Sequence, residues 1–130
     1  MKLILNFAFR CLLLLMLYPL TTAAADLRED MVALDRAFVP AFGVINRTPP
    51  QPEEAKRAIS ALGVQWNGFK QKYAIAQGGD SQWPSDIEKI DQKIVAAARI
   101  VDGGTDFPKA RDELKVVRQT FLDMRQRLNM

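Results

Sequence analysis

Histidine is absent from all 130 residues, and the single cysteine, Cys11, lies in an apolar block near the start. These two side chains supply most zinc and copper ligands and the usual partners of a nucleophile–base pair. Sites of those kinds therefore have no ligand set outside that block. No stretch alternates apolar and polar residues with period two, so no strand is expected. No apolar run reaches the ~20 residues of a membrane-spanning helix. There is neither an internal repeat nor a low-complexity tract.

The chain opens with a pattern of its own. Lys2 and Arg10 flank a basic start, Cys11 to Tyr18 is a compact apolar block, Pro19 breaks it, and Thr21-Thr22-Ala23-Ala24-Ala25 supplies small residues. This reads as a secretory signal over residues 1–25, with Ala23 and Ala25 at the small-residue positions before the cut. Cys11 lacks the small residues before it that a lipoprotein signal needs. Cleavage leaves residues 26–130, enough for one domain with a workable core. Removing Lys2 and Arg10 from the 18 basic residues leaves 16 against 15 acidic ones. A nucleic-acid partner loses its electrostatic basis at that point. The mature chain is expected to be periplasmic, with no membrane association after cleavage.

What remains is dominated by helical periodicity. Leu27, Met31, Leu34, Phe38, Phe42 and Ile45 share the face of a first helix that Asp26 can cap and Pro40 should kink. Pro52 opens a second, with Glu53 and Glu54 in its first turn and a seam of Ile59, Leu62, Trp66, Phe69 and Tyr73. Gly63 and Gly68 lower its intrinsic stability. They are expected to admit a neighbouring helix at close range, or alternatively a flat ligand. Gln77-Gly78-Gly79-Asp80-Ser81 forms a turn. A third helix follows with Trp83, Ile87, Ile90, Ile94, Ala97 and Val101 inward and Asp86, Glu88, Lys89 and Lys93 outward. Gly103 and Gly104 stop it. Asp106 caps a fourth helix with Pro108 in its first turn, and its seam runs Ala110, Leu114, Val117, Phe121, Met124 and Leu128. Its basic residues Arg111, Lys115, Arg118, Arg125 and Arg127 are expected to form a solvated face, or alternatively a docking patch for an acidic partner.

Four amphipathic stripes on short loops are buried together most economically in an all-α, antiparallel up-down-up-down four-helix bundle. About five large apolar residues per helix, at roughly 1.5–3 kcal/mol each on burial, suffice to drive it.

The run Asp26-Leu27-Arg28-Glu29-Asp30-Met31 and the last helix, through Leu114-Lys115, Arg118 and Phe121, resemble soluble cytochrome b562. That is a family of periplasmic four-helix bundles that hold haem non-covalently and carry electrons. The middle of the chain agrees in helix lengths and spacing. The resemblance puts Met31 at the family's axial methionine and Leu122 at the place of its axial histidine. The Cys-x-x-Cys-His attachment of the related c′-type cytochromes is absent. Conventional haem ligation is therefore not expected. Met124 also lies on a core seam, so Met31 and Met124 are the residues left to ligate haem b from two sides. Met124 is two residues beyond the axial place, a rotation of about 200° around the helix, and methionine in a helical stripe commonly fills a core. The function expected is non-catalytic binding or interaction, with a periplasmic protein or a small apolar ligand as partner. The alternative is a haem-binding electron carrier with altered axial ligation.

Overall fold

A computed structural model describes residues 26–130, and the expected signal segment lies outside them. The described residues form four helices and no strand. These are α1 (residues 26–45), α2 (Pro52–Lys72), α3 (Trp83–Asp102) and α4 (Phe107–Arg127). The chain divides after Val32 into two compact units, each described by itself. In the first unit, residues 26–32 are helical, with Leu27 and Met31 buried. Asp26 is itself helical, and no capping hydrogen bond from it is seen among the described residues. All that follows in this subsection belongs to the second unit, Ala33–Met130.

There the helices make an antiparallel four-helix bundle, up-down-up-down. Side-chain pairs mark the register. Asp35 of α1 meets Arg125 near the end of α4, Trp66 and Lys70 of α2 meet Asp91 of α3, and Lys93 of α3 meets Glu113 of α4. The chain is helical through Pro40 as far as Ile45, and the exposed ring sits on the outer side. Pro52 opens α2 without a side-chain cap, and the basic residues Lys70 and Lys72 in its last turn complement the dipole.

The α3–α4 corner follows from three residues. Gly103 keeps a helical φ, and Gly104 takes the left-handed conformation at φ 71°, which glycine adopts without penalty. Asp106 is also left-handed, and its carboxylate accepts from the Lys109 amide at 3.3 Å, capping α4 as expected.

Every expected seam residue of α2 and α3 is buried. On α4, Ala110, Leu114, Val117, Phe121 and Met124 are buried, while Leu128 is half-buried. Phe42 of α1 differs from expectation. It is half-buried, and Ala41 and Val44 take core places instead.

Asp86 was expected to face out, and instead it is 4% exposed. Its position explains this: it lies three residues after Trp83 and four before Ile90, on the buried stripe itself. Arg127, from the last turn of α4, pairs with its carboxylate.

Candidate functional site

Aromatic residues fill the middle of the bundle. Trp66, Phe69 and Tyr73 climb one face of α2, with ring centroids 5.8 Å and 4.7 Å apart in turn. Phe69 also meets Trp83 of α3 and Phe121 of α4, each at 6.2 Å. The Trp83 indole N–H donates to the Tyr73 carbonyl at 2.8 Å, closing the α2–α3 end with its polar atom satisfied. Beside this stack a cavity is lined by Leu34, Phe38, Leu62, Trp66, Ile90 and Phe121, with Asp35 and Arg118 at its edge. Its volume is about 20 Å³. That is room for a single water, which needs roughly 10–15 Å³ by the same measure.

Met124 is fully buried within the second unit, and Met31 is buried within the first. Leu122 is 39% exposed and lies on the outer side of α4. The place that the resemblance assigns to an axial histidine is thus at the surface of the second unit.

Polar networks join the helices at their outer edges. Asp91 Oδ1 accepts from Trp66 Nε1 at 2.9 Å and from Lys70 Nζ at 2.7 Å. The Lys70 hydrogen bond, with the indole bond and the ammonium charge adding to it, holds the Asp91 carboxyl below its ordinary range against the opposing effect of burial. Arg127 bridges Asp80, at 2.9 Å, and the buried Asp86, with Lys89 3.9 Å from the latter. The bond to Asp80, followed by that to Asp86, raises the guanidinium pKa further despite its partial burial. This cluster fastens the α2–α3 turn to the end of α4. Gly78 lies in the same turn at φ 58°, and a Cβ there would come within 2.8 Å of Leu128 Cδ2.

The basic residues of α4 are consequently not one solvated face. Arg125 and Arg127 are committed to Asp35 and to the Asp80–Asp86 pair. Lys115 makes an exposed ion pair with Asp112 at 3.5 Å. Arg118 has no acidic partner among the described residues.

Two grooves lie outside the core. One runs between α2 and α3, has a volume of about 400 Å³, and is lined by Ile59, Gly63, Val64, Asp91, Val95 and Ala98 among others. The other lies between α1 and α4, has a volume of about 540 Å³, and is lined by Phe42, Lys115, Val116, Arg118, Gln119 and Leu122.

Gly63 borders the first groove, and a Cβ at Gly63 or Gly68 would meet nothing within 4 Å. The expected close approach of a neighbouring helix is therefore absent at both glycines. Position explains it: each lies off the Ile59–Leu62–Trp66–Phe69 seam, on flanks of α2 that no helix covers.

Among the described residues no three of His, Cys, Asp and Glu gather where they could hold a metal ion. No described helix is long and apolar enough to cross a membrane. Neither a protein-family model nor a curated protein nor a solved structure matches this chain.

Proposed function

We propose that the mature chain is a periplasmic, cytochrome b562-like bundle without conventional haem ligation, acting as a non-catalytic binding protein through its outer surface. The observation that carries this reading is the contrast in space. The cavity among the four helices of the second unit has a volume of about 20 Å³, whereas the outer grooves measure about 400 and 540 Å³. Cofactor clefts commonly occupy ~300–1,000 Å³. A porphyrin does not fit beside Trp66, Phe38 and Phe121 unless those rings leave, and they are packed as a core is packed. The residues of this unit thus do not fit haem. With Leu122 at the axial place and no histidine in the sequence, the chain also lacks the family's nitrogen ligand.

Secretion is part of the same proposal and rests on the pattern of residues 1–25. Native mass spectrometry of protein recovered from its own periplasm tests both parts. The expected mass is that of residues 26–130 without a haem-sized addition. A haem adduct would favour the electron-carrier alternative, and a retained Met1 would remove the secretory reading.

A further inference from the structure

We propose, on the basis of that binding role, that the groove between α1 and α4 takes a monomeric acyl carboxylate. The alkyl chain lies along Phe42, Val116 and Leu122, and the carboxylate pairs with Arg118 and Lys115. The floor of the groove is apolar. Leu122 is 39% and Val116 36% exposed, and Phe42 keeps part of its ring open although it stacks on Phe38 at 5.7 Å. Val39, three residues before Phe42 on α1, is 68% exposed and extends the same strip.

The α4 side has helical order. Lys115, Arg118, Gln119 and Leu122 fall at i, i+3, i+4 and i+7, one stripe beside the buried seam. From Lys115 to Leu122 the helix rises about 10 Å, with Val116 between the two cations along the axis and Leu122 about 6 Å beyond Arg118. Arg118 offers a planar guanidinium with no acidic partner among the described residues, suited to a bidentate carboxylate. Lys115 is held only by an exposed pair with Asp112, which a ligand can exchange at little cost.

Size and charge select this occupant over others. A specific protein partner covers about 800 Å² and some 20–30 residues on each side, whereas six residues line the groove. A second copy with this groove on the two-fold axis would bring Arg118 and Lys115 close to their own equivalents. A small amphiphile with one negative charge meets both constraints.

Calorimetric titration of the purified protein tests the proposal, with octanoate, nonanoate, decanoate, 1-decanol and decyltrimethylammonium as probes, each below its micelle-forming concentration. One decanoate should bind per chain, with affinity rising about three- to fourfold per methylene from octanoate. The neutral and cationic decyl compounds should bind more weakly. Arg118→Gln should weaken decanoate about tenfold or more and leave 1-decanol unchanged. Leu122→Asp should weaken both, with circular dichroism confirming that the bundle is intact. Equal binding of decanoate and 1-decanol, or no effect of Arg118→Gln, would overturn the carboxylate site. Association only with phosphatidylglycerol vesicles, without monomeric decanoate, would overturn it in favour of a membrane surface. A chain that binds neither haem nor decanoate loses this ligand but keeps the wider binding role; a stoichiometric haem complex removes that role itself.

Discussion

The indole N–H of Trp66 donates to Asp91 at 2.9 Å, and Lys70 reaches the same carboxylate oxygen at 2.7 Å. Trp66 is buried, and its N–H is satisfied by this one carboxylate. Asp91→Ala should cost about 1–3 kcal/mol, the usual penalty for a buried donor left unpaired. Lys70→Ala should cost no more than about 1 kcal/mol, because that pair is partly exposed. The folded-state pKa of Asp91 lies below its ordinary 3.8. Its stabilising contribution is therefore present above about pH 4 and is lost as pH falls through the lowered value. Urea midpoints measured from pH 7 downward should show this loss in the wild type. The pH-dependent loss should be smaller in Asp91→Asn.

Two glycine substitutions should act in opposite directions. Gly68→Ala adds a methyl group into open space within a helix and should stabilise by up to ~1 kcal/mol. Gly78→Ala must hold a left-handed φ of 58° and place Cβ 2.8 Å from Leu128 Cδ2. It should destabilise by about 1–2 kcal/mol from the backbone alone. Chemical denaturation of both variants checks the pair; a destabilised Gly68→Ala would mean that something does pack on that flank.

Arg127→Ala leaves the buried Asp86 carboxylate with only Lys89, 3.9 Å away. The expected cost is about 1–3 kcal/mol. Adding Asp86→Ala should recover part of it, and a double-mutant cycle should give a coupling of roughly 0.5–3 kcal/mol. A coupling near zero, from urea unfolding of the four proteins, would remove this cluster as the fastening of the α2–α3 turn.

Leu114 and Leu122 test the register of α4. Leu114 is fully buried and Leu122 is not. Leu114→Ala should cost about 2–5 kcal/mol. Leu122→Ala should stay within about 0.5 kcal/mol, as surface substitutions usually do. Comparable losses would mean that the helix is rotated from the orientation described.

The bundle was legible because its signal is periodic. The 3-and-4 spacing through Ile59, Leu62, Trp66, Phe69 and Tyr73 has only one helical reading, and those five residues are buried. For Asp86 the charge predicts an outward place and the position a buried one. Its spacing from Trp83 and Ile90 already put it on the buried stripe, but its partner Arg127 is 41 residues away, and such pairings do not show in local periodicity. Thr120 also lies on a buried stripe, three residues after Val117 and four before Met124, its hydroxyl donating to the Val116 carbonyl at 2.8 Å. The alternative reading of Gly63 as room for a flat ligand marks the α2–α3 groove in the sequence, and nothing marks the other. The α1–α4 groove arises because Phe42 stays half-buried against the outer side of α4, a consequence of how two helices pack rather than of either sequence alone.

If the interior is filled and binding takes place outside it, haem finds no site in this protein. Visible absorption during titration of the wild-type protein with haem measures this most directly. The expected result is the broad spectrum of haem without axial protein ligands, with no saturation at one per chain. A sharp Soret band saturating at one haem per chain would contradict the claim.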